Sequence, residues 1–182
     1  MEKLNNPIKA LPNLPGGHLF YFYLTLECYI DNAVNFLLLG IEDGNHIILI
    51  ENHRIYSTIF NRLKLRLSST QMERIHYINN YDFYWSAGNF NSSKIIANFT
   101  KILKPFLKKN IPVRTWAHVE LGQIDDIEDA ISQFEKAAQE SVTSLKLLSV
   151  CAYNGQRLPV NLIKSLFISH THLMTDTAII KL

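Results

Sequence analysis

Cysteine, net charge and long apolar runs are all scarce in this sequence, and each shortage excludes a class of protein. Only two cysteines, Cys28 and Cys151, occur in 182 residues, which excludes a disulfide framework and favours a reducing compartment. Eighteen Lys and Arg residues against sixteen Asp and Glu residues leave a net charge of +2, so no strongly basic surface for nucleic acid is predicted. No apolar stretch has the length of a membrane span, and the first residues lack the apolar region of a secretory signal. We therefore expect a cytoplasmic protein without membrane or direct nucleic-acid contacts.

The composition is otherwise that of a globular protein. Hydrophobic residues make up 47% of the chain and charged residues 19%, which is enough apolar material for one core. Neither a linker nor an internal repeat interrupts the pattern. A single domain is expected over residues 1–182, with its core at about 18–180 and an extended N-terminal segment at 1–17.

Short β-rich runs alternate with longer helical patterns along the chain. Residues 46–50 form an almost wholly apolar run, as in a strand that helices cover on both faces, whereas Ile55, Ile59 and Leu63 recur at helical spacing. This alternation predicts parallel strands joined by crossover helices, and so an α/β three-layer sandwich with a mainly parallel sheet. Five helices are expected, together with six strands at residues 18–23, 46–50, 75–79, 113–119, 145–153 and about 178–180.

The local structure of two further segments is also predicted. The aromatic segment 81–90 fits neither the period of a strand nor that of a helix, which predicts an ordered loop. Asp125 and Asp126, with Glu128 and Asp129, are expected in the first turn of a helix, where negative charge complements the helix dipole.

Four segments, taken in order, resemble the MEDS sensory domain. They are residues 18–23 (HLFYFY), 36–45 (FLLLGIEDGN), 113–117 (VRTWA) and 148–153 (LSVCAY). The MEDS family is the methanogen and methylotroph sensory domain of the repressor DcmR and of many histidine kinases, and the resemblance spans about residues 18–180. It implies a RecA/KaiC-like fold that has lost its nucleotide chemistry and that senses small organic molecules.

The segment after the first strand agrees with that loss. A working P-loop needs the pattern GxxxxGK[ST], whose backbone N–H groups and Lys hold the phosphates. Residues 24–31 read LTLECYID, with no Gly, no Lys and two carboxylates. Neither an enzyme nor a cofactor is therefore expected. Because no kinase or DNA-binding region fits beside the domain, we expect its signal to pass in trans to a kinase or transcription regulator.

A ligand site is expected where the carboxyl ends of the strands meet, because open parallel sheets bind ligands there. The predicted ligand-binding residues are Tyr23, Thr25, Glu51, Tyr84, Trp85, His118, Glu120 and Tyr153. Together they would form an aromatic cup with a few polar contacts, which suits a small organic ligand. The alternative is that Tyr84 and Trp85 fill this edge. The chain would then be a ligand-free interaction module, for example one that forms a homo-oligomer.

Three other groups suggest chemistry, and each has a plainer interpretation. His118 and Glu120 share a strand face and suit acid–base work, but no nucleophile adjoins them and no catalytic residue is assigned. His170 and His172, with Cys151 or His118, are potential zinc ligands, yet the spacing CxxC or HxxxH is missing and no metal is predicted. Burial in an apolar strand is expected to raise the pKa of Cys151 and make it inert, the alternative being a redox sensor.

Overall fold

The chain forms one mixed α/β structure around a seven-stranded sheet. The computed structural model describes residues 7–14, 16–86, 88–121 and 127–182. Its strands are β1 (Gly17–Tyr23), β2 (His46–Glu51), β3 (Ile75–Asn79), β4 (Val113–His118), β5 (Leu148–Asn154), β6 (His172–Met174) and β7 (Ile179–Lys181). The strand order is β3-β2-β4-β5-β1-β6-β7, and every neighbouring pair is parallel except the antiparallel β6–β7 pair. The predicted α/β class and mainly parallel sheet are confirmed.

Helices cover both faces of the sheet. The described ranges contain a 3-10 helix (Pro7–Asn13) and the α-helices α1 (Leu26–Glu42), α2 (His53–Lys64), α3 (Ser69–Met72), α4 (Asn80–Trp85), α5 (Ser92–Lys108), α6 (Ile127–Leu145) and α7 (Val160–Ile168). The 3-10 helix, α1 and α2 pack on one face, which we call the α1 face. Helices α4 to α7 pack on the other, which we call the α6 face. Alternate residues of each strand therefore enter two separate cores, and the three-layer prediction is confirmed.

Side-chain caps start three helices directly at the carboxyl edge of the sheet. Thr25 accepts a hydrogen bond from the Cys28 N–H at the start of α1, and Asn52 accepts one from Ile55 at the start of α2. Asn79 caps α4 in the same way. Each cap satisfies an N–H group that has no partner within its helix. The chain therefore turns sharply at the end of each strand and brings β1, β2 and β3 to a common edge.

The aromatic segment is a correction to the sequence prediction. Its first part is helix α4 rather than a loop, because the Asn79 side chain accepts hydrogen bonds from the N–H groups of both Tyr81 and Asp82. Phe83 and Tyr84 are then buried against the α6 face.

Other boundaries also differ from the prediction. Helix α6 extends to Leu145, so β5 begins at Leu148. The short elements α3 and β6 were not expected, since β6 has three residues and exists through pairing with β1. Residues 7–13 form a 3-10 helix rather than an extended segment, while Asp125 and Asp126 lie outside the described residues.

None of the helices in the described ranges combines the length and apolar character that a membrane crossing requires.

Candidate functional site

A cavity of about 550 Å³ opens at the carboxyl edge of the sheet. It lies between the ends of β1, β4 and β5 and the aromatic helix α4. Five of the eight predicted ligand-binding residues line this edge cavity, namely Tyr23, Tyr84, Trp85, His118 and Glu120. The rule that parallel strands gather their ends at one edge thus locates part of the cavity wall.

The other three predicted residues do not line the edge cavity. Thr25 is exposed and caps α1. Glu51 is fully buried beneath the cavity, where it contacts His118. Tyr153 is also fully buried, but it points to the α6 face, where its hydroxyl donates to Glu135. Glu51, the last residue of β2, and Tyr153, the last but one of β5, thus enter the two cores instead of the cavity.

The wall also contains residues outside the predicted set, and two of them carry polar side chains from different elements. Asn80 lines the cavity from the start of α4, and Arg157 lines it from the turn after β5. The amide of Asn80 donates to Glu120 Oε2 at 2.9 Å and to the His118 carbonyl at 3.3 Å. The strand-end rule applied to β3 would have found Asn80, since it directly follows Asn79, whereas Arg157 offers no local signal.

A chain of hydrogen bonds, which we call the edge network, runs from the cavity into the α1 face. Tyr23 Oη lies 2.8 Å from His118 Nε2, and His118 Nδ1 lies 2.7 Å from Glu51 Oε1. The Tyr29 hydroxyl donates to Glu51 Oε2, and Trp116 Nε1 donates to Tyr29 Oη at 2.9 Å. Every polar group in this series has a partner, so the network holds Tyr23 and His118 rigidly at the cavity floor.

The direction of these hydrogen bonds follows from the carboxylate. Because a carboxylate oxygen accepts, His118 Nδ1 donates to Glu51, and His118 Nε2 is left to accept from the Tyr23 hydroxyl. Burial raises the pKa of Tyr23, and negative charge on Glu51 and Glu120 raises it further. The Tyr23 hydroxyl therefore stays protonated. It is suited to donating or sharing a hydrogen bond, and it is poorly suited to acting as a base.

His118 and Glu120 do not form the acid–base pair that their spacing suggested. Strand β4 ends at His118, and each side chain has other partners. Glu120 accepts from Asn52 at 3.0 Å as well as from Asn80 at 2.9 Å, while His118 bonds Tyr23 and Glu51. Glu120 is thus a fixed polar group of the wall.

Aromatic rings form the remaining wall. Tyr84 stacks on Phe90 with ring centroids 5.7 Å apart, and Trp85 meets Phe90 edge-on at the same distance. Tyr84 is almost fully buried, whereas Trp85 is only partly buried. Tyr84 is therefore both a core residue and a wall residue, whereas Trp85 and the exposed Tyr81 are aromatic wall side chains that a ligand can reach.

A second group of polar side chains is buried on the α6 face. His18, Glu135, Cys151 and His170, which we call the buried cluster, each place one ligand-type atom within 4.8 Å of the others. Two of the potential zinc ligands from the sequence, Cys151 and His170, do meet here, but His172 and His118 do not belong to it. Burial raises the pKa of the Cys151 thiol, and Glu135 raises it further, which confirms the expected direction.

The chain matches a known family in sequence and resembles solved structures in fold. The model of the MEthanogen/methylotroph, DcmR Sensory domain (MEDS) matches residues 17–171. A search of curated proteins found no match. The solved structure of the ATPase domain of G40P is similar with a TM-score of 0.54 and 8% identity, over 94% of this chain and 75% of that one. The flagellar accessory protein FlaH from Methanocaldococcus jannaschii is similar with a TM-score of 0.51 and 13% identity, over 89% and 72%. At such identities the likeness concerns the RecA-like fold.

Proposed function

The chain belongs to the MEDS family of sensory domains, and from that premise we propose that it is a non-enzymatic cytoplasmic sensor of a small organic molecule. Family membership supports the sensory role. The observation that carries the ligand proposal is the edge cavity, whose floor is the Tyr23–His118 end of the edge network and whose wall contains Trp85.

The chemistry of the cavity favours a small, partly apolar ligand. Its volume of about 550 Å³ lies within the range of small-molecule pockets. Tyr84 and Trp85 supply apolar surface, and Tyr23, Asn80 and Glu120 supply a few polar groups. A molecule with an apolar body and one hydroxyl or similar polar group fits this arrangement.

Nucleotide phosphates fit it poorly. A phosphate needs converging N–H groups and a Lys, yet residues 24–31 contain neither Gly nor Lys. Only Leu24 and Thr25 separate β1 from α1, and the Glu120 carboxylate at the wall repels anions. We therefore infer only the fold of this chain, and not an ATPase activity, from its structural relatives.

Signalling requires that the ligand bind one conformation better than another. Helix α4 is the element that a ligand would bias, because it contributes Tyr84 and Trp85 to the wall. We propose that the altered surface is recognised in trans by a kinase or a transcription regulator.

The second candidate function is a ligand-free interaction module, including a homo-oligomer. Exposed apolar side chains beside the same edge favour it, since Leu24 and Leu26 are 52% and 51% exposed. Such residues are common singly on protein surfaces, but a pair at one edge also suits a protein contact.

A thermal-shift screen tests the proposal. The probes are small alcohols, haloalkanes and aromatic compounds, with ATP and magnesium as a separate arm. A ligand at 100 times its Kd stabilises the protein by about 2.7 kcal/mol, so a true ligand raises the melting temperature clearly. The shift should fall to about half or less in Trp85→Ala, because a tenfold weaker Kd leaves about 1.4 kcal/mol of stabilisation at the same ligand concentration. It should persist in Phe167→Ala, a partly exposed aromatic residue on α7 outside the cavity wall.

Two outcomes would contradict the sensor. A shift with ATP and none with the organic compounds would indicate a nucleotide-binding protein. No shift with any probe, together with concentration-dependent self-association in analytical ultracentrifugation, would favour the interaction module.

A further inference from the structure

The buried cluster joins four elements that are distant in sequence. His18 comes from β1, Glu135 from α6 and Cys151 from β5, while His170 lies between α7 and β6. All four side chains are buried, and the four nearest ligand-type atoms lie within 4.8 Å of one another. Two imidazole nitrogens, one sulfur and one carboxylate oxygen thus converge inside an apolar core.

Three of the separations between these atoms are close to those of a tetrahedral metal site. His18 Nε2 lies 3.2 Å from Cys151 Sγ and 3.4 Å from Glu135 Oε2, and His170 Nε2 lies 3.5 Å from the same Oε2. Zinc bonds of about 2.0–2.3 Å place the corners of a tetrahedron about 3.3–3.7 Å apart. The three measured separations are at or close to these values.

Backbone contacts orient both imidazoles as metal ligands. His18 Nδ1 lies 3.1 Å from the Ser169 carbonyl, and His170 Nδ1 lies 2.7 Å from the Leu166 carbonyl. A carbonyl only accepts, so each Nδ1 carries the proton and each Nε2 is left as an acceptor. Metal-bound histidines typically have this second contact, which sets the tautomer and the ring orientation.

Hydrogen bonds within the protein do not complete the cluster. Among the described residues, Glu135 Oε2 and His170 Nε2 are buried and have no hydrogen-bond partner. His18 Nε2 also lies near Glu135 Oε2, and the Cys151 thiol is its neighbouring donor. Acceptor atoms of both histidines therefore converge on Glu135 Oε2, an arrangement that a cation relieves.

We propose that His18, Glu135, Cys151 and His170 form a structural zinc site. Zinc prefers nitrogen and sulfur ligands in a tetrahedron and accepts a carboxylate. The Cys151 thiol and any protonated Glu135 lose their protons on binding, so a thiolate and a carboxylate balance the two charges of the ion. Tyr153 supports the site by donating a hydrogen bond to Glu135 Oε1.

The surroundings indicate a closed site rather than a catalytic one. The cavity beside His18 and Cys151 measures about 20 Å³, which holds one water at most. A catalytic zinc keeps an open position for water or substrate, whereas a structural zinc takes all four ligands from the protein. The site is distinct from the edge cavity and goes beyond the proposed sensing function.

Metal content and cobalt spectroscopy test the proposal. The full chain is produced in minimal medium with zinc, so that a buried ion enters during folding, and its metal is measured by plasma mass spectrometry. One zinc per chain is expected. With cobalt in the medium, a thiolate-to-cobalt charge-transfer band and the intense visible bands of tetrahedral cobalt are expected.

Two control variants outside the cluster and two variants within it assign the charge-transfer band. Cys28→Ser removes the other cysteine of the chain and should keep both the band and the zinc. His172→Gln should keep them as well, because His172 lies outside the cluster. Cys151→Ser should abolish the charge-transfer band, and His170→Gln should lower the zinc content several-fold.

Specific results would overturn the site. Folded wild-type protein, verified by circular dichroism, that holds no metal after growth in zinc or cobalt would show a metal-free cluster with a protonated Glu135. A charge-transfer band lost in Cys28→Ser would place the metal elsewhere.

Discussion

The edge network and the buried cluster are two polar groups on opposite faces of one sheet, and they differ in how their hydrogen bonds are completed. Each contains histidine and a glutamate that is 0% exposed and accepts a hydrogen bond from a tyrosine hydroxyl. Glu51 accepts hydrogen bonds on both oxygens, from His118, Tyr29 and the Asn52 N–H. In contrast, Glu135 has a donor on Oε1 and none among the described residues on Oε2.

That difference shows that residue type does not determine the role of a buried polar group. The edge network alternates donors and acceptors, so neutral and charged groups satisfy one another within the protein. In the buried cluster, acceptors outnumber donors, because both Nδ1–H groups point away to backbone carbonyls. An alternating network stabilises a fold by itself, whereas a convergence of acceptors indicates a cation.

The largest expected effect comes from a matched pair of substitutions, Glu51→Gln and Glu135→Gln, in metal-free protein. Glu51→Gln should lower the free energy of unfolding by about 2–3 kcal/mol, because one oxygen that accepts a hydrogen bond becomes an NH₂ donor. Glu135→Gln should change it by less than about 1 kcal/mol, since the new donor faces the acceptor His170 Nε2. Urea unfolding in the presence of a chelator measures both.

Equal losses of unfolding free energy in Glu51→Gln and Glu135→Gln would contradict the proposed difference between the edge network and the buried cluster. A large loss in Glu135→Gln would mean that hydrogen bonds already complete the buried cluster in the metal-free protein.

A smaller effect on stability is expected for Trp85→Ala at the edge cavity. Because Trp85 is only partly buried, its loss should cost about 1–2 kcal/mol, below the 3–5 kcal/mol typical of a core aromatic residue. Binding of a ligand found in the screen should weaken by about tenfold or more, equivalent to about 1.4 kcal/mol. Isothermal titration calorimetry and urea unfolding separate the two effects. A stability loss of several kcal/mol without any ligand would mean that this aromatic residue is core.

Tyr23→Phe tests the end of the edge network that meets the cavity. The substitution leaves His118 Nε2 without its donor at 2.8 Å, which should cost about 1 kcal/mol of stability. The zinc content should not change, because Tyr23 faces the α1 side and shares no hydrogen bond with the buried cluster. Loss of metal in this variant would show that the two groups depend on each other.

The smallest effect expected is the energetic coupling between the two groups. Tyr23 and Tyr153 have no common hydrogen-bond partner, so the double variant Tyr23→Phe/Tyr153→Phe should equal the sum of the single variants within about 0.5 kcal/mol. A double-mutant cycle by urea unfolding measures this value. A larger coupling would indicate a path through the sheet from the cavity to the cluster.

Most of the fold was predictable because its signals are local. The apolar run at 46–50 predicts a strand buried on both faces, and Asn52 predicts the helix cap that follows; both are confirmed. Helix α4 escaped prediction because its aromatic residues suit several structures, and the Asn79 cap decides between them. Strand β6 escaped because its three residues depend on pairing with β1.

One rule of topology, that the carboxyl ends of parallel strands meet at one edge of the sheet, predicted part of the candidate site. That rule locates Tyr23, Tyr84, Trp85, His118 and Glu120 at the edge cavity. It does not state which face of the sheet a side chain near the end of a strand enters, so it did not predict that Glu51 and Tyr153 lie in the two cores.

The sequence by itself indicated the family and the α/β class, because family motifs, hydrophobic periodicity and helix caps are each carried by a few neighbouring residues. Only the tertiary structure decided which polar side chains meet. His18 and Cys151 are distant in sequence, yet parallel pairing of β1 with β5 and the packing of α6 and α7 bring them together with Glu135 and His170. The convergence of their acceptor atoms is a property of distance and direction in space, and no spacing along the chain encodes it.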